Sequence, residues 1–260
     1  MRSAIAQYSP GCSVIHRFDP RVKVVCVAAL AVGLFVHTSF AGLAVFGLAA
    51  LLGLVLSGVP LRWVARGLRP VLWLIALTFV VQVLAAPGQA LFTIGPLHPS
   101  SRGLELAGYL SLRLVILVLV SLLLTLTTPP IALTDALAWL GRPLRRLRVP
   151  TEELALMVTI ALRFIPTLLH EIDTIMMAQE ARGASFSRGG PLRRVRALVP
   201  VLVPLFVLSF RRADELALAM EARCYTPGMP RTRLHPMHAG ARDVLASVVV
   251  AGFIVVAMVV

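Results

Sequence analysis

The sequence predicts an all-α, polytopic helical membrane protein with about five spans and long amphipathic helices on the cytoplasmic side. Of its 260 residues, 58% are hydrophobic and only 14% are charged, whereas about 25% of the residues in a soluble domain are charged. Several apolar runs approach the length of about 20 residues that a helix needs to cross a hydrocarbon core of about 30 Å. Basic residues are concentrated between these runs, as in the cytoplasmic loops of membrane proteins.

The first apolar run, residues 24–56, predicts two short spans. As one helix it would be about 50 Å long, and it is interrupted only at His37, Thr38 and Ser39. We therefore expect two helices joined at residues 37–39. Three further apolar runs predict the remaining spans: Pro70–Ala86, Leu114–Thr128 and Val244–Val260.

The distribution of arginine and lysine orients these spans. The tail 1–23 carries four basic residues against one acid, and the loop 57–69 carries three arginines and no acid. The turn 37–39 has neither arginine nor lysine. Since cytoplasmic loops are enriched in these residues, we expect a cytoplasmic N-terminus and, after four spans, a return to the cytoplasm near residue 129. Arg113, just before the fourth run, is expected at the outer interface with its side chain extended towards water.

This topology divides the chain into three parts. Residues 1–128 form the N-terminal tail and four spans, 129–242 form a cytoplasmic or membrane-surface block, and 243–260 form the last span. The middle block holds sixteen of the 24 arginines. The net charge of +13 is therefore assigned to cytoplasmic loops and to contacts with the lipid bilayer, and no nucleic-acid partner is expected.

Two long helices are predicted in the middle block. The first runs from Thr151, a suitable N-cap residue, to Arg182, and its apolar residues recur at helical spacing. The second runs from Pro191 to Arg223, and Pro227-Gly228 prevents its continuation.

The apolar segments of these helices are short for membrane spans. Leu154–Ile165 and Val199–Phe210 fall well below the length of about 20 residues that a span needs. The first contains Arg163, and the second contains Pro200 and Pro204. A single crossing here would also place one of the arginine clusters outside. We therefore expect both helices to pack against the membrane domain or to lie on its surface.

Each of these helices ends in the tripeptide Glu-Ala-Arg. The first copy is Glu180-Ala181-Arg182, followed by Gly183, and the second is Glu221-Ala222-Arg223, followed by Cys224. An arginine in the last turn followed by glycine is also an ordinary helix end, because it suits the helix dipole and a left-handed cap. Two copies on two long helices of one compartment favour a binding function, since a narrow helix end with a bidentate cation can enter a groove on a partner.

Several kinds of active site are disfavoured by what the sequence lacks. A P-loop needs a Gly-Lys-Ser/Thr motif, and the only lysine is Lys23. The predicted spans contain no acidic residue for a proton or sodium relay. The aspartates are scattered and the cysteines, Cys12, Cys26 and Cys224, are widely spaced, so neither a metal site nor a disulfide is predicted. We expect a non-catalytic protein without a cofactor of its own.

Two motifs and the order of the helices resemble the transmembrane T component of energy-coupling factor (ECF) transporters, the CbiQ/EcfT family. The segment His16-Arg17-Phe18-Asp19-Pro20-Arg21-Val22-Lys23 is similar to that family's His-Arg-Leu-Asp-Pro-Arg-x-Lys motif before the first span. The triplets Ala181-Arg182-Gly183 and Ala222-Arg223-Cys224 resemble its paired Ala-Arg-Gly motifs. Cys224 stands where the family has glycine, a difference that bears on the shape of the second helix end.

The resemblance implies a transporter of several chains in the cell membrane. Two ABC-type ATPase subunits bind and hydrolyse ATP, a small membrane S component binds a vitamin or a transition-metal ion such as cobalt, and the T component couples them. Carried over to this chain, Arg182 would dock on one ATPase and Arg223 on the other. The flanking residues of the two motifs would contribute to the same contacts: Ala181, Gly183, Ala222 and Cys224, supported by Glu180 and Glu221.

Three alternative functions are open at this point. The membrane subunit of an ordinary ABC transporter would dock through similar surface helices. A membrane enzyme acting on lipid phosphates would need clustered acids or a nucleophile, which the sequence does not show. A stand-alone secondary transporter would be expected to contain discontinuous spans, inverted repeats or intramembrane charges.

Overall fold

The structure is a computed structural model that describes residues 11, 13–85, 100–147, 149–184, 186, 190–229 and 240–260, without the side chains of 144, 145 and 191–197. Its described residues form eight α-helices and no strand, which confirms the all-α prediction. The helices are α1 (Pro20–Val36), α2 (Phe40–Ser57), α3 (Leu61–Ala85), α4 (Ser101–Thr127), α5 (Pro130–Leu140), α6 (Thr151–Ala181), α7 (Pro191–Ala222) and α8 (Ala241–Val259). A 3₁₀ helix, Arg142–Leu147, follows α5.

The first apolar run is divided into two helices at the polar residues His37–Ser39, as predicted. The α1 helix ends at Val36, and α2 begins at Phe40. The Ser39 hydroxyl accepts a hydrogen bond from the Gly42 N–H at 3.2 Å, as an N-cap residue does. The prediction of two helices joined at 37–39 is therefore confirmed.

In the described part of the chain, five helices are long and apolar enough to cross a membrane. They are α2, α3 up to Leu84, α4, α6 and α8. This set includes α6, which the sequence assigns to the membrane surface, and leaves out α1, which has only 17 residues. At about 1.5 Å per residue, α1 extends about 25 Å, somewhat less than a hydrocarbon core of about 30 Å.

Two helices begin earlier than the apolar runs indicated. The α3 helix begins at Leu61, nine residues before Pro70, and α4 begins at Ser101, well before Leu114. Hydropathy marks only the part of a helix that is apolar, whereas the backbone hydrogen bonds continue into its polar ends. At α6 the helix begins with Thr151 itself and Pro150 occupies the N-cap position, so the expected Thr151 cap is wrong.

The described chain divides into two compact units, residues 1–136 with 235–260, and residues 137–234. In the first unit, α1, α2, α4 and α8 share a buried core, which is formed by Leu34, Leu43, Phe46, Ala50, Tyr109, Ile116, Val120 and Ala257. The α3 helix packs on α4, and the two backbones come close together at Gly103. A Cβ atom at Gly103 would lie 3.0 Å from the carbonyl oxygens of Gln82 and Val83, so only glycine allows this contact without a shift.

The N-terminal motif takes part in a buried polar junction, which we define by Asp19, Lys23 and Asp243. The two oxygens of Asp243 accept hydrogen bonds from the N–H groups of Asp19 and Gly240, both at 2.8 Å. Lys23 Nζ donates to the carbonyl oxygen of Thr127 at 3.1 Å. The junction therefore joins the starts of α1 and α8 to the end of α4.

Candidate functional site

The first Glu-Ala-Arg copy ends α6 in a Schellman motif. Arg182 is the C-cap, and Gly183 has a φ of +89°. The N–H of Gly183 donates to the carbonyl of Glu180, and the N–H of Ala184 donates to the carbonyl of Gln179, both at 2.9 Å. These two hydrogen bonds define the motif.

The second copy ends α7 in the same way. Arg223 is the C-cap, and Cys224 has a φ of +57°. The N–H of Cys224 donates to the carbonyl of Glu221 at 2.8 Å, and the N–H of Tyr225 donates to that of Met220 at 3.0 Å. Cysteine in place of glycine therefore leaves the cap unchanged. Among the described residues Cys224 is the only non-glycine with a positive φ.

We call Ala181-Arg182-Gly183 the first tip and Ala222-Arg223-Cys224 the second tip. All six residues are exposed. Neither arginine side chain has a hydrogen bond or ion pair with another residue in the described part of the chain. Glu180 and Glu221 support the tips through their main-chain carbonyls, which accept cap hydrogen bonds. Both guanidinium groups are thus available to a partner.

Three polar contacts show that α6 and α7 are antiparallel. Gly228, just after α7, donates its N–H to Glu153 Oε1 near the start of α6 at 3.0 Å. Glu171 forms an ion pair with Arg212. Gln179 Nε2 donates to the carbonyl of Pro200 at 3.3 Å. The residue numbers on α7 thus fall as those on α6 rise, so the two helices run in opposite directions. The two tips therefore lie at opposite ends of the pair, roughly 35 Å apart along it.

Gln179 connects the first tip to α7 because a proline within α7 leaves one of its backbone carbonyls without a helical partner. Pro204 has no N–H, so the carbonyl of Pro200, four residues earlier, loses its helical partner. The Gln179 side-chain amide donates a hydrogen bond to that carbonyl. The Gln179 main-chain carbonyl accepts one of the two hydrogen bonds that cap α6, from the N–H of Ala184. Sequence reasoning missed this contact, although a proline within a helix signals a free carbonyl four residues before it.

The ion pair between Glu171 and Arg212 lies between the two helices. The side chains are 16% and 36% exposed, respectively, and Glu171 Oε2 is buried without a hydrogen bond from the described residues. Sequence reasoning placed Glu171 on the polar side of α6 but did not identify its partner. Periodicity along one helix carries no information about which residue of another helix faces it.

Other candidate residues contribute nothing to this site. Among the described residues, no three His, Cys, Asp or Glu side chains come together as metal ligands would. His235 and His238 lie outside the described residues, as does Cys12. The side chains of the basic cluster on the first turns of α7 also lie outside them: Arg193, Arg194 and Arg196.

Comparison with known proteins gives consistent matches over nearly the whole chain. The family model CbiQ, described as cobalt transport protein, matches residues 11–234. The energy-coupling factor transporter transmembrane protein EcfT of Thermosediminibacter oceani is 49% identical over 97% of this chain and 95% of its own. EcfT of Acidaminococcus fermentans is 46% identical over 94% and 91% of the two chains. EcfT of Bacillus subtilis is 43% identical over 95% and 94%.

Proposed function

Since this chain belongs to the CbiQ family and is a transmembrane component of an ECF transporter, we propose that it couples ATP hydrolysis by two partner ATPases to substrate uptake. In this proposal a small membrane S component binds the substrate, a vitamin or a transition-metal ion. ATP is bound only by the ATPases, so the chain needs no cofactor. Membership of this family also decides against the membrane subunit of an ordinary ABC transporter.

One observation carries the proposal: two tips with the same cap and the same exposed arginine lie at opposite ends of an antiparallel helix pair. A pair of ATPases related by a twofold axis presents the same groove twice, at two separate places. One chain can occupy both grooves only if it presents two similar tips that are well separated. We therefore assign Arg182 to one ATPase and Arg223 to the other, each paired with acceptor groups of its groove.

The antiparallel arrangement also bears on the membrane topology. If α6 crossed the bilayer, α7 would cross it in the opposite direction, and the two tips would lie on opposite sides. Arg163, Glu171 and Asp173 are charged residues in the middle of α6, which makes a crossing costly. The proposal is that both helices lie along the cytoplasmic surface of the cell membrane and that the N-terminus is cytoplasmic too.

Coupling would proceed through the two helices. When ATP closes the ATPase pair, the two grooves move together and carry the tips with them. The apolar faces around Met157–Met176 and Val199–Phe210 would transmit this motion to the S component. Large apolar side chains on these faces support a partner there, since Met157 is 63% exposed and Phe206 is 59% exposed.

The proposal is tested by replacing Arg182 and Arg223 with alanine, singly and together. We expect each variant to insert into the membrane normally and to lose ATPase co-purification and substrate uptake. The loss of one partner of a buried charge pair typically costs about 2–5 kcal/mol, so the double variant should bind no ATPase. Arg211→Ala is the matched control, since Arg211 is exposed on α7 away from the tip. Normal co-purification and uptake in the double variant would refute the proposal.

A further inference from the structure

Arg113 is an arginine of α4 for which the described residues offer no hydrogen-bond acceptor. It stands in the middle part of α4, about 18 Å from the start of that helix. Its guanidinium carbon lies 4.7 Å from the centre of the Phe35 ring and 5.9 Å from the centre of the Tyr109 ring. Its Nε and Nη2 atoms are buried and have no hydrogen bond with the described residues.

Such an arginine requires an acceptor from outside the described residues. Aromatic rings attract the positive charge but do not accept the directed N–H bonds as an oxygen does. A buried charged donor without an acceptor is strongly destabilising. Because the guanidinium presents a planar set of donors, the oxygens of a phosphate or a carboxylate fit it best.

The depth of Arg113 in the bilayer favours a lipid phosphate. The Tyr109 hydroxyl donates to the carbonyl of His37 at 2.6 Å, so Tyr109 lies level with the turn between α1 and α2. The non-helical backbone of this turn needs water or headgroups around it. Arg113 follows Tyr109 by one helical turn, about 6 Å, and helical side chains lean back towards the N-terminus. Its guanidinium therefore lies close to the headgroup level.

Of the two rings around Arg113, Phe35 faces the lipid, whereas Tyr109 is buried in the core of the first unit. The Phe35 ring beneath the guanidinium is 62% exposed, so this contact is at the outer surface between α1 and α4. The Phe40 ring meets Tyr109 edge to face at 5.3 Å, and tyrosine is enriched at the membrane interface. We propose that Arg113, Phe35 and Tyr109 form a binding site for the phosphate group of a phospholipid headgroup.

The test uses the full chain, purified in detergent and stripped of lipid, and titrated with dioleoylphosphatidylglycerol. Bound lipid is counted by native mass spectrometry, and the thermal unfolding midpoint is followed in parallel. We expect Arg113→Gln to bind this phospholipid at least about tenfold more weakly than the wild type, a loss of about 1.4 kcal/mol. Arg66→Gln is the matched control, because Arg66 also lies over an aromatic ring, at 5.0 Å from the centre of Trp63, but is exposed.

Two further ligands distinguish binding of a phospholipid headgroup from binding of free phosphate. Dioleoylglycerol, which lacks the phosphate, should bind wild type and Arg113→Gln equally, and inorganic phosphate alone should raise neither unfolding midpoint. An equal response to inorganic phosphate and to the phospholipid would assign the site to a free anion and overturn the proposal. Equal phospholipid binding by the wild type and Arg113→Gln would overturn it as well.

A second variant covers the case in which Arg113→Gln fails to fold. Phe35→Leu keeps the arginine and removes an exposed ring, so it should fold normally and bind the phospholipid several-fold more weakly. Unchanged binding in Phe35→Leu would contradict the proposed site. If the unfolding midpoint of the wild type rises only with a co-purified membrane protein and not with phospholipid, Arg113 binds a protein carboxylate and the proposal is wrong.

Discussion

Cys224 adopts a left-handed backbone conformation, which is energetically unfavourable for cysteine but not for glycine. Its φ of +57° lies in the left-handed region, as does the +89° of Gly183 at the equivalent position of the first tip. A side chain in this region costs about 1–2 kcal/mol relative to the right-handed one. The helix keeps the same cap despite this cost, because the two main-chain hydrogen bonds and the packing of α7 determine where the helix ends.

Substitutions at these two positions should change stability in opposite directions. Cys224→Gly should raise the free energy of unfolding by about 0.5–1 kcal/mol, because glycine relieves the strain but has a more flexible unfolded state. Gly183→Ala should lower it by about 1 kcal/mol. Thermal unfolding of the purified chain in detergent measures both changes.

The control for Gly183→Ala is Gly252→Ala. A Cβ atom would meet nothing within 4 Å at either glycine, but Gly252 lies in the interior of α8, where alanine is the better helix former. The two substitutions therefore differ in backbone strain and not in crowding, and Gly252→Ala should not lower the unfolding midpoint. Equal unfolding midpoints for Gly183→Ala and Gly252→Ala would contradict the strain at the first tip.

At the scale of elements, the α6–α7 pair depends on polar contacts that are spread along its length. Glu153, Glu171 and Gln179 of α6 each hold a different part of α7 or of the turn that follows it. Many of the apolar side chains on these helices are exposed, as at Leu202 and Phe210. Since the exposed apolar faces contribute little within the pair, the polar contacts fix the register that places the two tips at opposite ends.

The ion pair between Glu171 and Arg212 should contribute measurably to this register. Glu171→Gln should lower the free energy of unfolding by about 1–2 kcal/mol, because it leaves the half-buried Arg212 without its carboxylate. Glu215→Gln is the control, since Glu215 pairs with Arg211 on the surface of α7, where both side chains are more than 60% exposed. It should change stability by less than about 0.5 kcal/mol.

A double-mutant cycle distinguishes the pair from its individual residues. Glu171→Gln combined with Arg212→Gln should cost less than the sum of the single substitutions, because no lone charge remains. Additive costs, or a Glu171→Gln variant no less stable than Glu215→Gln, would show that the ion pair does not hold the two helices.

The sequence predicted elements better than contacts between elements. The break at His37–Ser39 and both tips could be identified because they depend on neighbouring residues along one helix. The early start of α4 at Ser101 was missed, since polar, charged and glycine residues interrupt the apolar ones in the first turns of that helix. The contacts of Gln179 with Pro200 and of Glu171 with Arg212 depend on the register between two helices, which periodicity within each helix does not contain.

At the scale of the whole molecule, the chain leaves its first unit and returns to it. Residues 137–234 form the second unit, and α8 then rejoins the first. The hydrogen bond from the Asp19 N–H to Asp243 joins positions that are 224 residues apart. The polar junction therefore joins the two parts of the first unit, between which the second unit is inserted in the chain. The N-terminal motif thus has a structural role in addition to its resemblance to the family motif.

Substitution of Asp243 should weaken this closure in a graded way. Asp243→Ala leaves the N–H groups of Asp19 and Gly240 without acceptors, and each buried donor left unpaired costs about 1–3 kcal/mol, so we expect a loss of about 2–5 kcal/mol. Asp243→Asn keeps one acceptor oxygen and should lose about half as much. Asp214→Ala, at an exposed position of α7, should stay within about 0.5 kcal/mol of the wild type. Thermal unfolding in detergent measures the series, and an Asp243→Ala variant as stable as Asp214→Ala would mean that packing alone holds α8 in place.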